Sequence, residues 1–497
     1  MKSFKRNKIF SWVGFAVLLG ANGLALAQPP SQLWFRVLGS PHTDSYPMTG
    51  VATNGDILVS HGGSAVGDPA GDTYLHRLNN GGDTLWTRQI GEFGIDAIPK
   101  LASTNDNGCI IALWNESFSG DTCYPVRILK FDEWGDTLWT RVACPYYYSW
   151  PAAICQTSTG QYVIAIERYV PDPLTPFGFG LLWLDADGQV IRFRDYPDVD
   201  DVVDRVPWGM TLTPDDEIIL CGDGADYTVS PPLNWPKPWI AKFSPEGDSL
   251  WQRVFPFGMT AWTVTQTYDN GSVICISKSG FEEQNIELIK VDSLGNTVWH
   301  RSYGSERIER GFDVIQTSDS GLLVLGDFPV TDSNYDCLVL KTNHLGDSLW
   351  SLTFGGDEHD VSNYSGLSET QDGGFVCANR SLSFGESLDI LVTRFGPDGV
   401  PIGDWTVPAV PNRLSLSVYP NPFNSTTDIT FELPRVSRAV LKVYDLLGRE
   451  QVTLVDDVVQ SGTTTVRWDA GEFASGIYFV RLAAGEEMVT RKVVLVR

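Results

Sequence analysis

The sequence repeats one stretch, which is clearest in Phe131-Asp132-Glu133-Trp134-Gly135-Asp136-Thr137-Leu138-Trp139-Thr140-Arg141. It ends one apolar run, turns on a glycine flanked by Asp or Asn, and opens a second run with an apolar-Trp pair, which is typical of a β-hairpin. Related copies end at Trp86, Trp251, Trp299 and Trp350, and a weakened copy ends at Arg192. Counted from Trp34, the steps are 52, 53, 53, 59, 48 and 51 residues. A period near fifty with four strand-like runs per unit predicts a β-propeller.

The number of units follows from the strand-like runs. Seven sets of three runs begin near Met48, Ala97, Pro151, Val206, Trp262, Phe312 and Tyr364. Six are followed by a good fourth strand, whereas Gly399–Asp404 after the seventh contains Pro and Gly and makes a poor one. Leu33–Leu38 is a good strand with no set before it. The fold predicted for residues 31–405 is therefore all-β: a seven-bladed β-propeller closed by the N-terminal strand, which leaves no open sheet edge.

The repeated tryptophan is interpreted as a packing residue between neighbouring blades. Burial of about 200 Å² of ring surface at about 25 cal/mol/Å² contributes roughly 5 kcal/mol before entropy is subtracted. The structural blade tryptophans are Trp34, Trp86, Trp139, Trp251, Trp299 and Trp350.

Family resemblance adds to this interpretation. Leu129–Trp139 resembles the tryptophan-docking repeat of quinoprotein dehydrogenases and of outer-membrane assembly scaffolds, which implies a bound quinone or a peptide-binding scaffold. The quinone enzymes use an adjacent Cys-Cys pair, and none of the 8 cysteines here are adjacent. The Asp-x-Gly spacing of the sialidase Asp-box also differs from Asp132-x-x-Gly135. A closer resemblance, carried by Glu369–Phe375, is to secreted bacterial propeller proteins, and it implies no defined activity.

The composition and the N-terminus indicate an exported protein. The net charge of −25 repels nucleic acid and anionic lipid, so no nucleic-acid partner is expected. Residues 1–27 combine a cationic start, an apolar run and a small-x-small site, which predicts a signal peptide cleaved between Ala27 and Gln28. No later segment is long and apolar enough to span a bilayer, so an integral membrane protein is not expected.

One rim of the predicted propeller is rich in aromatic residues. Flat rings with polar edges suit stacking against sugars, and the alternative is that these rings pack on neighbouring blades. The candidate ligand-binding residues are Tyr146, Tyr147, Tyr148, Trp150, Trp235 and Trp239.

No catalytic or metal site can be chosen from the sequence. The six histidines lack metal-ligand spacing, and no Gly-x-Ser-x-Gly elbow is present. Two acidic loops, 198–204 and 357–360, can be Ca²⁺ sites or solvated loops, and the first lacks the Gly and Glu of a Ca²⁺ loop. No cofactor is predicted. Cys123 and Cys144 lie near loops, where they can pair in an oxidising compartment or stay free. Four cysteines lie inside apolar strand runs and are expected to be buried: Cys109, Cys221, Cys275 and Cys377.

The final part of the chain differs in pattern. Residues 406–412 read as a Pro-rich linker, and 413–497 as a small Ig-like antiparallel β-sandwich of about seven short strands. This module resembles the type IX secretion C-terminal sorting domain. The residues that carry the resemblance are Tyr419, Pro420, Asn421, Pro422, Gly448, Gly476, Tyr478 and Lys492. The resemblance implies recognition by an outer-membrane translocon and a sortase, followed by release or attachment at the cell surface.

The sequence thus favours a secreted or outer membrane-associated propeller that binds a glycan or a protein without catalysing a reaction. The alternative is a secreted carbohydrate-active hydrolase or lyase with acidic residues at the propeller mouth. A retention and product-release assay on polysaccharides separates the two.

Overall fold

The computed structural model describes residues 32–496 except 40–42, 65–71, 92–95, 116–122, 170–177, 198–204, 225–236, 257–259, 278–284, 305–308, 332–333, 385–387, 397–413, 434–436, 460–461, 472 and 486. The predicted signal peptide with its Ala27–Gln28 cleavage site, the acidic loop 198–204, Trp235 and the linker 406–412 lie outside the described residues. Within the described residues every helix or strand that is assigned is a β-strand, so the all-β prediction is confirmed.

Seven four-stranded antiparallel sheets make up most of the described chain. The N-terminal strand β1 (Gln32–Leu38) belongs to the seventh of these sheets. The first sheet contains β2 (Thr43–Val51), β3 (Ile57–Ser64), β4 (Asp72–Leu78) and β5 (Thr84–Ile90). The second contains β6 (Asp96–Ser103), β7 (Cys109–Asn115), β8 (Val126–Phe131) and β9 (Thr137–Ala143). The third contains β10 (Tyr148–Gln156), β11 (Tyr162–Tyr169), β12 (Gly178–Leu184) and β13 (Val190–Pro197).

The next three sheets follow the same order along the chain. The fourth contains β14 (Arg205–Leu212), β15 (Ile218–Gly224), β16 (Lys237–Phe243) and β17 (Ser249–Val254). The fifth contains β18 (Thr260–Gln266), β19 (Ser272–Ser277), β20 (Ile286–Val291) and β21 (Thr297–Tyr303). The sixth contains β22 (Arg310–Gln316), β23 (Leu322–Thr331), β24 (Asn334–Thr342) and β25 (Ser348–Phe354).

The seventh sheet joins the two ends of this part of the chain. It contains β26 (Asp360–Glu369), β27 (Phe375–Ser381) and β28 (Asp389–Phe395), and β1 is its fourth strand. β1 pairs antiparallel with β28, with Trp34 opposite Arg394 and Leu38 opposite Ile390. The first strands of successive sheets contact each other in chain order, and β26 also contacts β2. This arrangement of radial four-stranded sheets is of the β-propeller type.

Each pair of successive sheets shares an apolar cluster. The middle strands are buried on both faces, as in β7, where Cys109 to Leu113 have no exposed surface. One such cluster lies between the first and second sheets, and another joins the seventh sheet to the first through Leu38, Val59, Ile390 and Val392. Each sheet buries both of its faces against neighbouring sheets. The hydrophobic driving force for folding therefore comes mainly from the apolar clusters between sheets.

The repeated tryptophan docks on the hairpin of the following sheet. Trp86 Nε1 donates a hydrogen bond to the carbonyl oxygen of Glu133 at 2.9 Å, and its ring covers Gly135, which has a φ of +82°. Arg88 lies over that ring at 5.5 Å and donates to the Gly135 carbonyl at 2.8 Å. Trp34, Trp139 and Trp251 make the same indole hydrogen bond to the next hairpin. Only a glycine leaves room for the ring at this turn.

Two positions depart from that pattern. Where the weakened copy carries Arg192, the indole of Trp183 from β12 packs against the next turn glycine, Gly247, and Tyr196 Oη donates to its carbonyl. Arg192 lies over the Trp183 ring at 5.3 Å. The sixth hairpin glycine, Gly346, is covered by Trp299 and accepts a hydrogen bond from Tyr303 Oη at 2.5 Å.

In most sheets, a buried Lys or Arg on the third strand forms an ion pair with an Asp in the turn between the first and second strands. Lys130 on β8 lies 2.7 Å from Asp106, and the equivalent lysine Lys290 lies 2.6 Å from Asp269. The same geometry joins Lys341 to Asp319 and Arg394 to Asp372. This contact explains why a Thr-x-Asp turn and a later Lys recur together in the sequence.

The ionisable groups predict a stability maximum at mildly acidic pH. Burial opposes ionisation of Asp269, but hydrogen bonds from Lys290 and Thr267 prevail and lower its pKa to about 2. Its stabilising effect is therefore present above its ordinary pKa of 3.8 and is lost as the pH falls through about 2. Burial raises the pKa of Asp313 to about 6 and that of Asp327 to about 7, so the destabilisation from each group grows between the ordinary pKa of 3.8 and its raised pKa and is constant above it.

We therefore expect the melting midpoint to be highest near about pH 4, to fall below that pH, and to decline above it until about pH 7. Calorimetry across pH 2 to 9 measures it, and a maximum at pH 8 would contradict the expectation.

The C-terminal part forms a second, smaller unit of two packed sheets. One sheet contains β29 (Ser415–Tyr419), β30 (Thr426–Leu433) and β33 (Gly462–Asp469). The other contains β31 (Ser437–Tyr444), β32 (Glu450–Val459), β34 (Gly476–Ala484) and β35 (Glu487–Leu495). Their inner faces share one apolar cluster around Phe431, Leu441, Trp468 and Val480. All described members of that cluster lie after residue 413, so this unit has a core of its own.

No helix with the length and hydropathy of a membrane span occurs among the residues that the structure describes.

Candidate functional site

Six aromatic rings from the second and third sheets lie in continuous contact, and we call them the aromatic patch. They are Trp114, Tyr124, Tyr147, Tyr148, Trp150 and Tyr169. Tyr124 and Tyr148 stack in parallel with centroids 4.5 Å apart, and Tyr147 meets Tyr148 edge-on at 5.0 Å. Trp114 meets Trp150 edge-on at 5.7 Å. Trp150 is 39% exposed, and the other five rings are half-buried.

A disulfide and backbone hydrogen bonds hold the patch in place. A disulfide joins Cys123 to Cys144, with Cα atoms 6.2 Å apart. The backbone N–H of Tyr124 donates to the Tyr147 carbonyl at 2.7 Å, and that of Ser149 donates to the Tyr124 carbonyl at 3.2 Å. The rings are therefore positioned before any ligand arrives, which lowers the entropy cost of binding.

The structure distributes the six predicted ligand-binding residues unevenly. Tyr147, Tyr148 and Trp150 belong to the aromatic patch. Tyr146 is buried at 6% exposure and donates from Oη to Asp195 at 2.7 Å. Trp239 is buried at 2% exposure, stacks on Phe179 and donates to the Asp223 carbonyl at 3.0 Å. Because their rings are enclosed by protein, Tyr146 and Trp239 are structural and cannot stack on a ligand.

Sequence reasoning missed three members of the patch. Trp114 is the penultimate residue of β7, Tyr124 precedes β8 and Tyr169 ends β11. All three border the connection between the second and third strands of a sheet, which emerges beside the loop that holds Tyr147. An aromatic residue at that strand end was the signal that could have found them.

Glu167, a carboxyl group with altered ionisation, lies next to the patch, and the charge of a second carboxyl group, Asp223, acts on it. Glu167 on β11 is the cross-strand partner of Trp150. Burial, and secondarily the charge of Asp223, raises the pKa of Glu167 to about 7. Burial also raises the pKa of Asp223, although Trp208 Nε1 donates to it at 2.7 Å and Thr260 Oγ1 at 3.0 Å. A carboxyl group whose pKa is raised to about 7 therefore borders the aromatic surface.

The second acidic loop is organised by protein contacts. Asp360 is buried and accepts hydrogen bonds from the Gly356 N–H and Ser383 Oγ, each at 2.7 Å. Asp357 and Glu358 point to solvent. Among the described residues, no group of three or more His, Cys, Asp or Glu side chains is arranged to hold a metal ion.

In the C-terminal unit, the motif that opens it binds the strand that closes it. Asn421 Nδ2 donates to the Lys492 carbonyl at 2.9 Å, and the Val494 N–H donates to Asn421 Oδ1 at 2.9 Å. Phe423 is buried against Trp468, with ring centroids 5.3 Å apart. The first and last motifs of the unit are therefore parts of one surface, although about seventy residues separate them.

The other motif residues occupy turns and supports of the same unit. Gly448 has a φ of +74° in the turn after β31, and Tyr478 Oη donates to the Ala474 carbonyl at 2.8 Å. Tyr419 is 82% exposed.

Comparison with known proteins decides what this unit is. Residues 417–496 match the family described as the secretion system C-terminal sorting domain. The chain carries a type IX sorting domain. The protein is therefore secreted and reaches the cell surface. The sorting domain predicted from Tyr419–Phe423 and the later motifs is confirmed.

No curated protein matches the chain. Among solved structures, a protein of unknown function from Dyadobacter fermentans is 11% identical, with a TM-score of 0.47 over 74% of this chain and 98% of that one. The β-propeller domain of the Trilobed protease from Pyrococcus furiosus is 9% identical, with a TM-score of 0.40 over 70% of this chain and 93% of that one. These similarities concern the fold alone and say nothing about what the chain binds.

Proposed function

We propose that this protein is a non-enzymatic binding protein of the cell surface whose aromatic patch stacks against the sugar rings of an extracellular glycan. The observation that supports this most is the patch itself, in which six contacting rings are held in place by a disulfide and by backbone hydrogen bonds. Sugar rings present apolar faces with polar rims, and Trp and Tyr offer large, rigid surfaces with little conformational entropy to lose.

We also propose that the seven sheets close into a seven-bladed propeller over residues 31–405. The pairing of β1 with β28 and the apolar cluster between the seventh and first sheets support closure. A closed ring leaves no sheet edge to pair with another chain, which suits a protein that must stay separate outside the cell.

Export is proposed to use a signal peptide over residues 1–27, followed by recognition of the sorting domain by the outer-membrane translocon and a sortase. A protease then cuts near the Pro-rich linker 406–412. Because the sorting domain has its own apolar core, it can be recognised without unfolding the propeller.

Replacing Trp150 by Ala is expected to weaken glycan binding about tenfold or more, because loss of one stacked ring removes about 1.4 kcal/mol or more. Tyr147→Ala is expected to act in the same direction. A glycan array identifies a ligand, and calorimetric titration of that ligand then gives the affinities of the variants.

Trp134 provides a matched control. It is an indole with 66% exposure on the hairpin between β8 and β9 of the second sheet, outside the patch. Trp134→Ala is expected to keep full affinity. Equal affinity for the wild type, Trp150→Ala and Tyr147→Ala would exclude the patch as the binding surface.

A hydrolase or lyase is the second candidate, and the position of Glu167 beside Trp150 favours it. A carboxyl group with a pKa of about 7 can donate a proton to a glycosidic oxygen at neutral pH. In the same titrations, release of reducing ends by the wild type but not by Glu167→Gln would mean that the protein is a hydrolase or lyase rather than a non-enzymatic binding protein.

A further inference from the structure

The first strands of six sheets line a cavity, partly open to solvent, that the aromatic patch does not use. Its volume is about 180 Å³, and β2, β6, β10, β14, β18 and β22 all contribute to its wall. For comparison, an engineered protein cavity of about 150 Å³ holds one benzene molecule. The cavity therefore has room for a compact ligand with one ring.

One side of the cavity is a continuous aromatic wall. Trp208, Trp262 and Phe312 come from the fourth, fifth and sixth sheets, and all three line the cavity. The centroids of Trp208 and Trp262 are 5.4 Å apart, and those of Trp262 and Phe312 are 5.5 Å apart. Met48 and Met210 add flexible apolar surface. Such a wall favours a flat apolar body over a fully hydrated polar one.

The cavity also contains one cation and one anion on different sheets. Lys100 lies on β6 and Asp313 on β22, and both side chains line the cavity. Asp313 is already satisfied, since it accepts hydrogen bonds from the N–H groups of Leu367 at 2.9 Å and Val314 at 2.8 Å.

Lys100 differs from Asp313 in this respect. In the part of the chain that the structure describes, no group lies within hydrogen-bonding or ion-pair distance of its ammonium, and the charge that acts on it is the more distant Asp313. The buried lysines of the sheet turns, such as Lys130 and Lys290, all touch a carboxylate. Lys100 is half-buried in the cavity wall. A partly desolvated ammonium without a protein partner is costly, and an anionic ligand in the cavity would supply the partner.

We propose that the cavity binds a small monocarboxylate with a flat apolar body, whose carboxylate pairs with Lys100 and whose ring packs on Trp208, Trp262 and Phe312. Asp313 selects for a single negative charge, because a second anionic group on the ligand would face its carboxylate. This site is separate from the aromatic patch, and it would stand if the patch bound no glycan.

Benzoate is a suitable probe, with benzamide as its uncharged isostere. At ten times its dissociation constant, benzoate is expected to raise the melting midpoint of the wild-type protein by about 2 °C. Benzamide is expected to give no shift. Calorimetric titration gives the affinity, and Lys100→Met is expected to weaken benzoate binding at least tenfold while Lys100→Arg retains most of it.

The matched control is Lys237→Met, which removes an exposed lysine on β16 and is expected to bind benzoate like the wild type. Burial lowers the pKa of Lys100 to about 8, against the opposing effect of Asp313, so its charge is lost above that pH. Affinity of the wild type should therefore fall about tenfold between pH 7 and 9. Tyr46 and Asp313 are the other titratable residues in the described lining.

The pH titration uses the wild type alone, so it remains decisive if Lys100→Met does not fold. Absence of benzoate binding by the wild type, equal binding of benzamide, or a pH-independent affinity would each overturn the proposal.

Discussion

Deletion of Ser417–Arg497 is expected to leave the protein in the periplasm, with its surface-exposed fraction reduced more than tenfold. The deleted residues include nearly all of the sorting domain, whose described core residues form a cluster separate from the propeller sheets. The apolar clusters between the seven sheets therefore remain after the deletion. Loss of surface display then reflects the loss of the sorting signal rather than misfolding of the propeller sheets. Protease accessibility on intact cells measures the exposed fraction, and fractionation locates the retained protein.

Two controls accompany this deletion. The full-length Trp150→Ala variant, altered only at the aromatic patch, should be displayed like the wild type. Residues 413–497 fused to an unrelated periplasmic reporter should carry that reporter to the surface. Normal display of the truncated protein would contradict the sorting role of the C-terminal unit in this chain.

Substitution of Gly135 by Ala is expected to lower the free energy of unfolding of the propeller sheets by about 2 to 5 kcal/mol. A Cβ at this position would lie 2.9 to 3.0 Å from three ring atoms of Trp86. The backbone φ of +82° costs an L-residue about 1 to 2 kcal/mol, and overpacking adds about 1 to 3 kcal/mol. Either the Trp86 indole leaves the hairpin and loses its bond to Glu133, or the hairpin moves away from it. Urea unfolding followed by circular dichroism measures the change.

A substitution at Gly160 separates the cost of backbone strain from the cost of the collision with a tryptophan ring. Its φ is +83°, but the nearest heavy atom to an added Cβ is Gln156 Nε2 at 4.0 Å. Gly160→Ala therefore meets the backbone strain without the collision and is expected to cost only about 1 to 2 kcal/mol. Equal destabilisation by both substitutions would mean that the contact between Trp86 and the next hairpin contributes little.

The repeat unit was largely predictable from the sequence because its signals are local. The turn at Gly135 and the alternation around it predict a hairpin without reference to other parts of the chain. The Trp positions predict packing between units. The carbonyl oxygen that each indole binds, however, lies 42 to 47 residues further along the chain. The replacement of the missing Trp at Arg192 by Trp183 from a neighbouring strand also required coordinates, because the two residues lie on different hairpin arms.

The candidate site was only partly predictable. Tyr147, Tyr148 and Trp150 form one run of sequence, whereas Trp114, Tyr124 and Tyr169 reach the same place from other strands. Alternation along a strand does not say whether an aromatic ring faces a neighbouring sheet or solvent, and for this reason Tyr146 was grouped with ligand-binding residues although it is buried. The pairing of Cys123 with Cys144 was left open because spacing alone does not bring two loops together.

The sequence by itself determined the all-β repeat, the hairpin turns and the sorting domain, since each depends on residues that lie close together along the chain. Only the tertiary structure decided which rings meet in the aromatic patch, which cysteines pair and which side chains line the central cavity. Lys100 is the clearest case. In the sequence it is one lysine in a short strand, and only the arrangement of six sheets places it half-buried in the cavity wall, with no partner for its charge among the residues that the structure describes.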